Sequence, residues 1–221
     1  MIEIKKISKT YKAGNEVIKA VDNVDLTIEK GEFTSIVGHS GSGKTTLLSL
    51  MGGLTKPDSG TVIIDDTDLW AINDNDLSEF RNLKINFIYQ FSSLIPTLNV
   101  LENVLLPTAF SKKNESFDEY ARELLDTVKL SDKLFSYPSQ LSGGQQRRVA
   151  IARAFVNKPE IILADEPTGD LDEETEAEIL ELFYSMNDKE RITFIIVTHS
   201  SEIARKCKKQ YRMSHGILSP Q

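Results

Sequence analysis

Apolar and polar residues alternate along "IEIKKIS" and "VIKAVDNVDLTIEKG", the period of strands that bury one face, and Ala13, Gly14, Asn15, Asp22 and Asn23 supply turn residues between them. The next run, "EFTSIV", is continuously apolar or β-branched and predicts a strand buried on both faces. In "KTTLLSLMGGL" the apolar spacing becomes helical, "KPDSG" reads as a turn, "TVIID" as a short strand, and "LSEFRNLKINFIYQ" passes from helix to a strand that ends on Gln90. Between residues 91 and 157 the pattern is helical, with Pro96, Pro107 and Pro138 punctuating "TLNVLENVLLPTAF", "FDEYARELLDTVKL" and "SGGQQRRVAIARAFVNK". Buried strands resume in "EIILAD" and "ITFIIVTH", with a helix over "EETEAEILELFYSMN" between them. This order predicts one α/β domain: a core from residues 1–90 and 158–221, β-rich at its start, with a helical lobe inserted at 91–157.

The chemistry gathers where these elements end. Between the strand "EFTSIV" and its helix lies "GHSGSGKTT", residues 38–46. A turn needs about one glycine, whereas Gly38, Gly41 and Gly43 leave a backbone with few Cβ atoms and many N–H groups free to converge on an anion. Gly38, four residues, Gly43, Lys44 and Thr45 match G-x-x-x-x-G-K-[ST], the loop that wraps nucleotide phosphates at a helix N-terminus. Lys44 is then placed to reach the β- and γ-phosphates and the Thr45 hydroxyl to hold Mg²⁺. The runs "IILA" and "FIIV" end in Asp165 and Glu166, and in Thr198 and His199, which should converge on that loop because ligands of open α/β sheets bind beyond the carboxyl ends of the strands. Adjacent carboxylates on a strand end point to opposite sides and need different roles, so Asp165 is assigned to the metal and Glu166 to the general base, with His199 orienting the γ-phosphate or the water. A second helix start, "LSGGQQRRVAIARAF", combines an N-cap serine, Ser142, with Gly143 and Gly144, and reads as a second anion site without a lysine. Spacing alone leaves open whether the two sites meet within one chain or across two.

Acidic residues outnumber basic ones, 33 to 26 in 221 residues, which argues against a protein whose main task is gripping nucleic acid. Arg205, Lys206, Lys208, Lys209 and Arg212 read as a solvated face. The single cysteine, Cys207, excludes an internal disulfide, fits a reducing compartment, and is expected as a surface or half-buried thiol. No stretch approaches the roughly 18 apolar residues that span a bilayer, so the expected location is the cytosol.

With "GHSGSGKT", "LSGGQ", "IILADEPTGDLD" and "THS" in this order, the chain resembles the nucleotide-binding subunits of ABC-type transporters along essentially its whole length. The resemblance implies a P-loop NTPase core with an N-terminal antiparallel β-subdomain and an inserted α-helical subdomain. It also implies ATP with Mg²⁺, and a homodimer that sandwiches two ATP molecules, each between one chain's phosphate loop and its partner's "LSGGQ". Motif by motif, it implies nucleotide contacts from Gly38, His39, Ser40, Gly41, Ser42, Gly43, Lys44, Thr45 and Thr46, and adenine stacking by Tyr11. Gln90 takes the place of the glutamine that senses metal and water. Ser142, Gly143, Gly144 and Gln145 match the signature, Asp165 and Glu166 the strand-end carboxylate pair, Asp170 and Leu171 the loop that follows it, and His199 the switch histidine. "YQFSSLIPTLNVLENVLLP", "GGLTKPDSG" and "EPTGDLD" are more narrowly similar to the lipoprotein-releasing and macrolide- or peptide-exporting group. That group implies transmembrane permease partners and a peripheral place on the inner membrane face. His39, Asn86 and "RMSHG" depart from its usual residues. A soluble scaffold or a cell-division ATPase of the same type is the alternative. Phe91, Leu94, Ile95, Leu98, Val100 and Leu101 are expected to form a groove for a partner's helix.

Overall fold

Strands ending at nearly one level build the frame that carries the site. The computed structural model describes residues 1–14, 16–111, 116–169 and 171–221. Its elements are β1 (Ile2–Ala13), β2 (Glu16–Ile28), β3 (Phe33–Val37), α1 (Lys44–Met51), β4 (Ser59–Ile64), β5 (Thr67–Asp68), α2 (Asp74–Lys84) and β6 (Ile85–Ile88). They continue with α3 (Val100–Leu105), α4 (Asp118–Thr127), α5 (Gly143–Phe155), β7 (Ile161–Asp165), α6 (Glu173–Glu190), β8 (Thr193–Thr198), α7 (Ser201–Lys206), β9 (Lys209–Ser214) and β10 (Ile217–Pro220). One sheet runs β10-β9-β3-β8-β7-β6, parallel from β9 to β6 with β10 antiparallel at its edge. The other, β2-β1-β4-β5, is antiparallel throughout.

In the central strands β3, β7 and β8 nearly every residue is buried, because both faces of a parallel sheet are covered. Strand periodicity sorts their side chains between two cores. Ile162, Ala164, Phe194 and Ile196 pack on one face with α3, α4, α5 and α6, while Leu163, Ile195 and Val197 pack on the other with α1 and the antiparallel sheet. Between β6 and β7 the regular elements are helical.

Three local expectations are corrected. Asp22 and Asn23 do not separate strands: β2 runs through them as a bulge, with Ile7 opposite Val24 and Lys9 opposite Val21. Asn23 takes a φ of 50° and its N–H donates to Ser8 Oγ at 2.9 Å, so the side chain of the opposite strand satisfies the residue the ladder skips. Asn15 lies outside the described residues. Cys207 is buried, 5% exposed, rather than at the surface or half-buried, its Sγ donates to Ile203 O, and burial pushes the thiol up to about 11. Of the apolar run after Gln90, Val100 and Leu101 are in the core and Leu94 packs against it, leaving Phe91 and Ile95 exposed at 74% and 40%. Helical spacing at residues 100–105 therefore marks packing, not a groove wall.

Candidate active site

The glycine loop leaves β3 at Val37 and enters α1 at Lys44. Its glycines are demanded by the chain's own backbone: a Cβ on Gly43 would stand 1.9 Å from Ala20 O, and one on Gly38 would stand 2.3 Å from Met213 O. The loop is thus wedged between β2 and β9, and Gly43, at φ 106°, turns the chain so that α1 starts with its N–H groups facing outward. No acidic residue occupies the first turn of α1, which leaves its positive end available to an anion. Lys44 is buried and folds back over the loop, donating from Nζ to Gly38 O at 2.8 Å and His39 O at 3.1 Å.

The other groups arrive because neighbouring strands end in register. Val37 pairs with Thr198, Val197 with Asp165, and Ala164 with Ile88, two residues before Gln90. A cavity of about 380 Å³ results, lined by Ser40, Gly41, Gly43, Lys44, Thr45 and Thr46 from the loop and helix, and by Gln90, Asp165, Glu166 and His199 from three strand ends. Asp165 turns to the loop, where its Oδ2 accepts from Thr45 Oγ1 at 2.7 Å. Burial pushes its carboxyl above the ordinary value; the Thr45 bond opposes this, and the neighbouring Glu166 charge adds to it. Two hard oxygen donors at one point, on a group that burial has left short of counter-charge, can hold a divalent cation.

Glu166 turns the other way. Its Oε2 accepts from Thr198 Oγ1 at 3.0 Å and from the His199 N–H at 3.3 Å, and Oε1 lies 3.0 Å from His199 Nδ1. Its backbone sits at φ 45°, a left-handed conformation a glutamate adopts only where its surroundings impose it. The carboxylate is therefore aimed by β8 while its backbone departs from the line of β7. The His199 side chain is 75% exposed, so it is no packed core histidine and is free to meet a ligand. Thr198 was read in the sequence only as a polar strand end; its position directly before His199 was the signal for a role in holding the base.

Several expected residues lie elsewhere. Tyr11 stands 43% exposed on β1, paired with Ile18, and does not line the cavity. His39 lines an adjoining cavity of about 540 Å³ that shares Ser40 and His199 with the first. Ser42 Oγ is buried without a hydrogen-bond partner. Ser142, Gly144 and Gln145 border a separate cavity of about 340 Å³ with Arg148, Leu171 and Asp172, and the two cavities have no lining residue in common. There Ser142 and Gln145 close a capping box on α5: Ser142 N–H donates to Gln145 Oε1, and Gln145 N–H to Ser142 Oγ. Asp170 lies outside the described residues.

A family model described as ABC transporter matches residues 21–169. The lipoprotein-releasing system ATP-binding protein LolD of Alcanivorax borkumensis is 41% identical over 219 residues, 99% of this chain and 96% of its own. The macrolide export ATP-binding/permease protein MacB of Rhodopirellula baltica is 40% identical over 222 residues, 99% of this chain but 32% of that longer protein. Among solved structures, the dimeric post-hydrolysis state of the ATP-binding cassette MJ0796 bound to ADP and Pi, a protein of Methanocaldococcus jannaschii, superposes with a TM-score of 0.92 at 42% identity, covering 100% of this chain and 98% of that one.

Proposed function

The chain belongs to the ABC transporter family and is an ATP-binding, ATP-hydrolysing subunit, and from that premise we propose that two copies close over two ATP molecules, each held between one copy's glycine loop and the other's Ser142–Gln145 turn. One observation carries the reading: within one chain the two phosphate-directed helix starts border cavities with no residue in common, so each copy offers two half-sites. A dimer of head-to-tail half-sites completes both at once. The dimeric MJ0796 cassette with ADP and Pi supports this.

The residues then divide the work. Gly38 to Thr46 take the phosphates on backbone N–H groups and the start of α1, and Lys44 exchanges its two carbonyl partners for phosphate oxygens. The buried, unpartnered Ser42 Oγ leaves a hydroxyl in the loop that can join them. Thr45, Asp165 and Gln90 fit Mg²⁺, since the Thr45 and Asp165 oxygens already converge at 2.7 Å and Gln90 adds an amide oxygen to the same cavity. When bound, such an ion neutralises charge that develops on the phosphate oxygens. Glu166 takes the proton of the attacking water, and His199, free at its exposed face, hydrogen-bonds the γ-phosphate or that water. Tyr11 stacks on adenine, and Ser142, Gly143, Gly144 and Gln145 cap the partner's γ-phosphate.

The work of the cycle is done on transmembrane permease subunits of the lipoprotein-releasing or exporting type. No helix among the described residues is long and apolar enough to cross a membrane; on this reading the chain works at the cytoplasmic face, bound to those partners. Exposed Phe91 and Ile95, directly after Gln90, give the partner an apolar hold beside the site. Residues 91–157 form the lobe that moves against the core of 1–90 and 158–221.

Ser142→Arg tests the arrangement. A cation at the rim of the second half-site should leave the monomer's ATP affinity within about threefold of wild type and abolish hydrolysis, by roughly the factor lost when a transition-state donor is removed, about 10²-fold or more. Equal loss of nucleotide binding and hydrolysis would place Ser142 in its own chain's site or in the fold.

A further inference from the structure

Helix α5 does more than present Ser142 and its glycines. Arg147, in its second turn and 3% exposed, donates from all three guanidinium nitrogens to main-chain carbonyls. Nε donates to Pro167 O at 2.6 Å, Nη2 to Glu166 O at 2.6 Å, and Nη1 to Tyr89 O. These carbonyls belong to two strand ends: Tyr89 precedes Gln90, and Glu166 carries the base in its left-handed conformation. The same helix holds the far side of Gln90, because Arg153 donates to Ser92 O at 2.8 Å and Ser93 O at 2.9 Å. Gln90 is therefore clamped on both flanks by α5 while its own side chain is left to the cavity.

We propose that Arg147 is a positioning residue for hydrolysis, fixing the Glu166 backbone and the peptide before Gln90 to the helix whose first turn meets the partner's nucleotide; this rests on the dimer reading above. Only a guanidinium reaches three carbonyls on two strands, since its donors diverge in one rigid plane, whereas lysine brings one nitrogen. A left-handed glutamate persists only if its surroundings over-determine it, and the Arg147 bond to Glu166 O joins the Glu166 N–H donation to Val197 O at 2.9 Å and the Gly169 N–H donation to Glu166 O at 3.1 Å in pinning that residue's own peptide groups. Arg147 is not itself among the residues lining the cavity; it bonds the backbone of Glu166, which is, and of Tyr89 beside Gln90, and it acts through them.

The experiment is a double-mutant cycle on the full-length chain. Arg147→Lys, and independently Arg147→Gln, are each made in wild type and in Glu166→Gln, with single-turnover ATP hydrolysis, KM for ATP and Tm recorded. In wild type, kcat should fall at least tenfold with KM within threefold; in Glu166→Gln, where no base remains to be aimed and only the route through Gln90 is left, the same change should cost at least threefold less than in wild type. Equal losses in both backgrounds, or an unchanged kcat, overturn the proposal. So does loss of nucleotide binding in both arginine variants, which would place Arg147 in the fold. A wild-type chain that hydrolyses no ATP would fail the reading of the cavity itself, before any variant is compared.

Discussion

Glu166→Gln isolates the chemical step because the surrounding contacts can all survive it. Oε2 accepts from both Thr198 Oγ1 and the His199 N–H, and a glutamine carbonyl placed there accepts the same pair. The amide nitrogen then occupies the Oε1 position, 3.0 Å from His199 Nδ1, where a neutral imidazole nitrogen accepts instead of donating. Side-chain volume is unchanged, and the residue is mostly buried, so Tm should move by no more than about 2 °C, the span of a few tenths of a kcal/mol in a chain of this size. What is lost is the proton acceptor. General-base catalysis contributes about 10² to 10⁴-fold, roughly 2.7 to 5.5 kcal/mol of barrier, and hydrolysis should fall by that factor. Binding should not fall, so nucleotide persists and holds the dimer together. Size-exclusion chromatography in ATP and Mg²⁺ should show a dimer for the variant and mostly monomer for wild type, with quench-flow hydrolysis on the same samples. Hydrolysis within threefold of wild type would remove Glu166 from the role of base, and a monomeric variant saturated with ATP would remove the nucleotide from the dimer interface.

Two further outcomes test the frame around the cavity. Gly43→Ala places a Cβ 1.9 Å from Ala20 O at φ 106°, so the loop must shift by more than a side chain can absorb; Tm should fall by about 5–10 °C and ATP affinity by at least tenfold, and a variant that binds ATP like wild type would refute the wedging of the loop between β2 and β9. Asp58 accepts from Thr10 Oγ1, Lys9 Nζ and the Thr10 N–H, which hold its carboxyl down at about 2. A carboxyl depressed in the folded state contributes stability that is full above its ordinary value near 4 and is lost as the pH falls toward 2, so wild type should lose Tm more steeply than Asp58→Asn over that window; parallel curves would sink the assignment.

The parts of the site written contiguously were legible. Loop, helix start and the two strand-end pairs each follow from a pattern within about ten residues, and their convergence follows from ligands of open α/β sheets lying beyond the carboxyl ends of the strands; the strand order itself is not written in any one run. Asp22 and Asn23 misled because a bulge and a turn favour the same residues; only the partner strand, through Ser8, distinguishes them. The run after Gln90 misled because helical spacing records that Val100 and Leu101 are covered without recording by what, and their cover is their own lobe. Arg147 was invisible for a stronger reason. Its three acceptors are backbone carbonyls 58, 19 and 20 residues away, and a carbonyl has no residue type.

The glycines carry the last distinction. In sequence, the pairs Gly38 and Gly43, and Gly143 and Gly144, raise the same expectation of a close backbone approach. In the fold they differ. A Cβ on Gly38 or Gly43 collides with the chain's own carbonyls, so those glycines are accounted for without any ligand. A Cβ on Gly143 would meet nothing within 4 Å and one on Gly144 only Leu171 Cδ2 at 3.7 Å, and neither residue has a positive φ. Two glycines opening a helix, each weakening it by about 1 kcal/mol against alanine, are thus required by nothing among the described residues. On the proposed dimer reading, a helix start stripped to its backbone, with Ser142 beside it, meets the phosphate that the second copy carries, and a side chain there would obstruct it. Gly143→Ala should therefore raise Tm slightly in the isolated monomer while lowering ATP hydrolysis at least tenfold. A stabilised variant that keeps full activity would show that the space is merely empty.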